Sequence, residues 1–156
     1  SYLDEHMLLS YLTPDEYFET LRKIYGLSRE DLQLHLERFG DIFNGEIRDQ
    51  EKYNRDLSKG NLKKVGIAAA MLGYPELVIL DEPFENIDPS SQIKLKKLIQ
   101  HEKEERNITF LISSHDLTHV TDICQRVVLL EKGRIARDLT GDKQKMAGEL
   151  DEYFAA

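Results

Sequence analysis

The sequence contains few residues that could form a covalent cross-link or a membrane-spanning helix. It has 156 residues, a single cysteine, no tryptophan and no long apolar run. Because a lone cysteine (Cys124) cannot form an internal disulfide, we expect a reducing compartment and a buried, apolar role for this side chain. No run approaches the roughly 18 apolar residues that a membrane-spanning helix needs, and the N-terminal residues lack the basic region of a signal peptide. We expect a soluble chain that reaches a membrane only through a partner.

The charge balance is acidic, with 29 Asp and Glu against 21 Lys and Arg and a net charge of -8. Nucleic-acid-binding surfaces carry the opposite sign, so we expect no nucleic-acid partner. The length is typical of one domain with a substantial core.

Residues 1–73 show helical patterns and helix start signals. Thr13 followed by Pro14 and Glu16 has the spacing of a capping box, and Gly26 marks the end of that helix. A second start signal lies at Ser28 and Asp31, and a third near Ser58. We therefore predict a helical first half.

Residues 74–156 alternate between strand and helix patterns, which predicts a parallel sheet with an antiparallel final pair joined by a turn at Lys132-Gly133. The predicted elements are strands at Leu77–Leu80, Ile108–Ile112, Arg126–Leu130 and Ile135–Leu139, and helices at Pro89–Glu105, Asp116–Cys124 and from Asp142 onwards.

The most informative pattern is the apolar run Leu77–Leu80, which leads directly into Asp81, Glu82 and Pro83. A short unbroken apolar run predicts a strand buried on both faces. Pro83 is expected to hold Glu82 in an extended backbone. Two carboxylates at the carboxyl end of a parallel strand are placed to hold a magnesium ion and to orient a water.

His115 follows the next predicted strand. Because parallel strands end at the same edge of a sheet, we predict that His115 converges with Asp81 and Glu82. A metal site built on His115, His119 and Asp122 is the alternative, but no third His or Cys completes the set.

Two further segments combine helix-start chemistry with possible ligand contacts. Ser58 and Gly60 begin a helix whose amino end suits a phosphate, although by themselves these residues favour an ordinary helix cap without any ligand. Asp88 caps the next helix whatever else it does. The lysines in these helices are interpreted as solvated faces, namely Lys63, Lys64, Lys94, Lys96 and Lys97.

Four motifs in a fixed order resemble those of the ATP-binding subunits of ABC transporters. They are LSKGN at Leu57–Asn61, LVILDEP at Leu77–Pro83, ENID at Glu85–Asp88 and ISSHD around His115. They are similar to the family signature, Walker B strand, D-loop and switch histidine, and RVVLLEKGRI at Arg126–Ile135 resembles the strand pair that follows.

The resemblance implies an α/β fold: an incomplete P-loop NTPase with a helical subdomain and a partial, mostly parallel sheet. Residues 1–73 would be the helical subdomain ending in the signature helix, and residues 74–156 the C-terminal part of the nucleotide-binding core. The stretch Tyr11–Leu27 is similar to ATPases that serve drug or antibiotic exporters.

One expected motif does not occur in the sequence, namely the phosphate-binding GxxxxGK[ST]. We therefore expect the chain to be the C-terminal portion of such an ATPase, inactive by itself. Within the motifs, Lys59 and Asn61 stand where the family usually has glycine and glutamine, and Phe84, Glu85 and Asn86 replace the usual smaller residues.

The resemblance also assigns roles and partners. ATP and Mg²⁺ would be the cofactors, with Asp81 on the metal and Glu82 as general base. His115 would contact the terminal phosphate. The residues facing nucleotide bound by a second, head-to-tail subunit would be Ser58, Lys59, Gly60, Asn61 and Asp88.

A transmembrane permease would be the other partner, and it would hold the chain at the cytoplasmic face of the membrane through residues 1–45. Two rivals stay open: a catalytically silent interaction module, and a soluble ABC protein acting in translation or DNA repair. The acidic charge disfavours the second.

Overall fold

The computed structural model describes residues 10–155. In chain order its elements are α1 (Pro14–Tyr25), α2 (Arg29–Arg38), α3 (Gly40–Phe43), a 3-10 turn (Asn54–Asp56), α4 (Lys59–Ala70), β1 (Leu77–Asp81), α5 (Pro89–Arg106), β2 (Thr109–Ser113), α6 (Leu117–Ile123), β3 (Arg126–Glu131), β4 (Arg134–Thr140) and α7 (Lys143–Ala155). The fold is α/β, with a helical part and a small parallel sheet, as the sequence predicts.

The helix starts follow the predicted capping chemistry. The Thr13 hydroxyl oxygen accepts a hydrogen bond from the Glu16 amide, and the Glu16 carboxylate accepts one from the Thr13 amide. Ser28 and Asp31 form the same reciprocal pair at the start of α2. Each box satisfies amide donors that an isolated helix start leaves unpaired. Gly26 ends α1 with φ of 66°, a left-handed conformation that glycine adopts without strain.

Two compact units divide the chain, one up to Leu111 and one from Ile112 onwards. The first unit contains the helices α1 to α5 and β1. Its buried apolar residues include an aromatic group around Phe43, which lies 5.6 Å from Phe39 and 6.2 Å from Phe18 between ring centroids. The functional boundary predicted at residue 73 stays a prediction.

The β1–β2 pair forms the sheet of the site. The prediction that β1 is buried on both faces is wrong for this structure. Val78 and Leu80 are buried, but Leu77 is 53% and Ile79 65% exposed, so the strand alternates. The unbroken apolar run shows that either face of β1 could be buried. Whether a face is buried depends on which elements of the fold pack against it.

The second unit is built on the predicted hairpin. β3 and β4 are antiparallel, with Val127 opposite Leu139 and an irregularity between Leu129 and Leu130. Helices α6 and α7 complete a small core, and the half-buried Cys124 packs against it, in keeping with its predicted filler role. The buried members of this core are Val120, Val127, Leu139, Met146 and Leu150.

Candidate functional site

The first component of the site is the amino end of α4. Ser58 caps this helix, because its Oγ accepts from the Asn61 amide at 3.1 Å. The Asn61 side-chain amide donates to Glu46 Oε2 at 3.1 Å, which fixes the direction of that side chain. Lys59 is exposed in the first turn. This end of the helix therefore presents a hydroxyl, backbone amides and a cation.

The second component is the loop that follows β1. Asp81 ends the strand and is exposed. The prediction of an extended Glu82 is wrong: its φ is 46°, in the left-handed region, and Asn86 has φ of 62°. Left-handed backbone is strained for residues other than glycine and persists where the surroundings hold it. The Glu85 amide donates to the Glu82 carbonyl at 3.2 Å and closes a tight turn.

The two components meet through one face of α4. Lys63 Nζ donates to the Glu82 carbonyl oxygen at 2.6 Å, and Lys64 Nζ donates to Asp88 Oδ2 at 3.2 Å. A Cβ added to Gly60 would overlap the Asn86 carbonyl oxygen. Positions three and four apart lie on the same side of a helix, so these three contacts form one interface.

Four of the five lysines that were interpreted as solvated from the sequence are buried or partly buried, and only Lys97 of the five is exposed. Lys64 is only 4% exposed, and Lys63 is partly buried. A buried ammonium needs a partner, which Asp88 supplies for Lys64. Lys63 and Lys64 stand three and four positions after Gly60, and this spacing in the sequence indicates that the three residues share one face of the helix. The sequence does not show that the loop after β1 packs against that face.

Asp88 has two roles in this arrangement. Its Oδ1 accepts from the Ser91 amide at 2.8 Å and caps α5, as predicted. The hydroxyl and amide of Ser91, and then Lys64, hold the pKa of Asp88 well below its usual range. The carboxylate is therefore ionised throughout the physiological pH range.

Two cavities border this interface. A pocket of about 350 Å³ is lined by four of the predicted nucleotide-contacting residues, Ser58, Gly60, Asn61 and Asp88. A larger groove of about 920 Å³ is lined by Lys59 and Asp81. The structure thus brings most of the predicted site residues of the first unit to two neighbouring surfaces of α4.

His115 lies in the second unit, between β2 and α6, and is exposed. Asp116 caps α6 by accepting from the Thr118 amide at 2.8 Å. The convergence of His115 with Asp81 and Glu82 stays a prediction.

Asp81 and the acids around it define what metal chemistry the first unit can support. Among residues 10–155 there is no group of three or more His, Cys, Asp and Glu side chains placed to hold a metal ion. The exposed Asp81 carboxylate fits an ion such as Mg²⁺, which is commonly bound by one or two carboxylates, water and substrate phosphates.

Within the same described part, no helix is long and apolar enough to cross a membrane.

Comparison with known proteins finds one matching family model and relatives that are named as transport ATP-binding proteins. Residues 20–121 match a family model described as "AAA domain, putative AbiEii toxin, Type IV TA system". An uncharacterized ABC transporter ATP-binding protein of Nostoc sp. PCC 7120 is 30% identical over 97% of this chain and 45% of its own length. The bacitracin transport ATP-binding protein BcrA of Bacillus licheniformis is 39% identical over 56% of this chain and 29% of its own length.

A solved structure supports the same relationship. The dimeric structure of a bacterial ABC transporter cassette has a TM-score of 0.73 and 25% identity, covering 88% of this chain and 60% of that chain. The present chain spans less than half the length of the two curated relatives described above.

Proposed function

The chain belongs to the family of ABC transporter ATP-binding proteins, and from that premise we propose that it forms part of an ATPase that couples ATP hydrolysis to transport. It would contribute the signature, Walker B, D-loop and switch-histidine elements. The observation that carries the proposal is the pocket shared by Ser58, Gly60, Asn61 and Asp88, which the sequence motifs had named independently.

In the proposed mechanism the amino end of α4 faces nucleotide bound by a second subunit. The Ser58 oxygen accepts within the cap, and its hydroxyl hydrogen is left to donate to a phosphate oxygen. The cation of Lys59 and the positive end of the helix dipole favour the same negative charge. Asp88 would connect the two sites across the dimer.

The reaction itself would depend on the acids after β1. Asp81 would hold Mg²⁺ through water, and the metal would neutralise phosphate charge. Glu82 would orient the attacking water and accept its proton, and His115 would contact the terminal phosphate. Phosphoryl transfer depends mainly on positioning and charge neutralisation, so a held Glu82 loop is an advantage.

Several parts of this function would come from outside the sequence shown. It contains no GxxxxGK[ST] motif, so a P-loop-bearing region must supply the phosphate cradle. The proposed partners are a second ATPase subunit, head to tail, and a transmembrane permease docked on residues 1–45 at the cytoplasmic face. The bacitracin relative supports an antibiotic-type exporter as the finer proposal.

One experiment tests the proposal directly. This chain is combined with the P-loop-bearing half, in one polypeptide or as two, and ATP turnover is measured with Mg²⁺. We expect turnover that Glu82→Gln abolishes, and no turnover by this chain alone. Turnover by the chain alone that Glu82→Gln removes would show that the site has been misread.

A catalytically silent interaction module is the second candidate, because Lys59 stands in the signature and the sequence shown has no P-loop motif. In that case the chain would offer α4 to an intact ATPase and alter its rate without turning over itself. Adding the chain to an intact ATPase subunit separates the two: a changed rate without any effect of Glu82→Gln favours the silent module.

A further inference from the structure

Glu82 has an unusual backbone for a residue with a proposed chemical role. Its φ of 46° is left-handed, and it stands directly before Pro83, which already restricts its conformation. The Cα–Cβ bond leaves the backbone in a direction set by φ and ψ, so the direction of the Glu82 side chain depends on this strained turn being held.

The Glu82 carbonyl oxygen accepts two hydrogen bonds that hold the turn. The Glu85 amide donates at 3.2 Å from within the loop, and Lys63 Nζ donates at 2.6 Å from α4. The Lys63 bond comes from outside the loop and is charge-assisted, which makes it short and strong. The same ammonium lies 3.8 Å from Glu85 Oε2, so it contacts both ends of the turn.

Two further contacts on the same face of α4 restrain the loop between Glu82 and Asp88. Gly60 lies directly against the Asn86 carbonyl, and the buried Lys64 holds Asp88. Of the three contacts, only the one made by Lys63 reaches Glu82 itself. A change in the position of α4 would therefore be transmitted to the Glu82 carbonyl through this lysine.

We propose that Lys63 is a positioning residue: its ammonium holds the Glu82 carbonyl and thereby sets the direction of the Glu82 carboxylate. This inference rests on the proposed role of Glu82 as general base. Through Lys63, a movement of the Ser58 end of α4, which faces the nucleotide, would change the position of the Glu82 carboxylate in the same subunit. Lys63 need not touch the nucleotide for this role.

The first test measures the loop itself and needs no catalysis. Amide hydrogen exchange is compared for the chain, Lys63→Met and the matched control Lys97→Met, which removes the same charge from an exposed position on α5. We expect faster exchange within residues 84–87, including the Glu85 amide, in Lys63→Met alone. Equal exchange in the two variants overturns the proposal.

The second test measures catalysis in the ATPase assembled from this chain and the P-loop-bearing half. We expect Lys63→Met to lower kcat by roughly 10- to 100-fold, the cost of a misplaced catalytic group, while the KM for ATP stays within about two-fold. Lys63→Arg, which keeps a cationic donor, should retain most of kcat. A purely structural role would not produce this split or this rescue.

The failures of the two proposals can be told apart. If the unaltered assembly has no turnover, or Glu82→Gln leaves turnover intact, the general-base assignment fails and this inference fails with it. If Glu82→Gln abolishes turnover but Lys63→Met leaves kcat unchanged, the proposed function stands and the role of Lys63 is refuted.

Discussion

Gly60 lies so close to the carbonyl oxygen of Asn86 that even a methyl group at Gly60 would overlap it. The obstacle is backbone rather than a flexible side chain, so the loop or the helix must shift. Packing within one chain therefore explains why position 60 of LSKGN holds a glycine, independently of any contact with nucleotide.

We predict that Gly60→Ala destabilises the first unit by about 1–3 kcal/mol through overpacking. Gly66→Ala is the matched control on the same helix, because a Cβ there meets nothing within 4 Å. It should be neutral or stabilise by about 0.5–1 kcal/mol through helix propensity. Urea denaturation measures both, and equal midpoints for the two variants would contradict the predicted contact.

Glu102 is 2% exposed and lies 3.1 Å from Arg38 and 3.0 Å from Arg106, so it joins α2 to α5. Glu102→Gln keeps the shape but leaves both guanidinium groups without their carboxylate. Because Arg38 is partly exposed, we expect a loss of roughly 2–4 kcal/mol rather than the largest values for buried pairs. Chemical denaturation measures the loss, and the exposed Glu105→Gln, which should change little, is its control.

His35 should make stability depend on pH near neutrality. Burial lowers its pKa below 6.5, although its ring nitrogen Nε2 lies 2.8 Å from the Ala68 carbonyl oxygen, and nearby Arg38 lowers the pKa further. The unfolded chain therefore binds more protons here than the folded one, so stability falls as pH drops below 6.5.

The measurement is the slope of unfolding free energy between pH 5 and 7. His35→Gln should reduce that slope, whatever its effect on absolute stability, whereas His101→Gln at an exposed position should leave it unchanged. The carboxylates with lowered pKa, such as Asp88, act at more acidic pH and do not obscure this window. An unaltered slope in His35→Gln would refute the assignment.

The uncovered face of β1 should promote self-association. Leu77 and Ile79 are exposed on one side of the strand, and Leu111 of β2 is exposed as well. Adjacent apolar residues on an open sheet invite pairing with other surfaces. We expect the double variant Leu77→Thr, Ile79→Thr to bind less apolar dye and to sediment closer to the monomer.

The control for that experiment is Ile93→Thr, which removes an exposed apolar side chain from α5 instead. It should leave both readings near those of the unaltered chain. A clean monomer without dye binding for the unaltered chain itself would remove the basis of the prediction.

The local signals in the sequence were the most reliable ones. Capping at Thr13, Ser28, Ser58 and Asp88, and the hairpin turn after Glu131, were all predicted and are present. Each depends on residues within a few positions of one another, so neighbouring residues suffice to specify it.

The wrong expectations concern contacts between segments distant in sequence. Ile79 was expected to be buried and Lys64 solvated, and the structure reverses both. Glu82 was expected to be extended because of Pro83, but the contact with Lys63 lies nineteen positions away and helps to hold it left-handed. The preference imposed by the neighbouring Pro83 therefore did not decide the conformation of Glu82.

The sequence by itself determined the order of the motifs, the element boundaries to within a few residues and the family. Only the tertiary structure decided that Gly60, Lys63 and Lys64 form one face against the Glu82–Asp88 loop. The physical reason is that caps and turns are satisfied by neighbours along the chain. Burial, strain and ion pairing are satisfied by whatever the fold brings alongside.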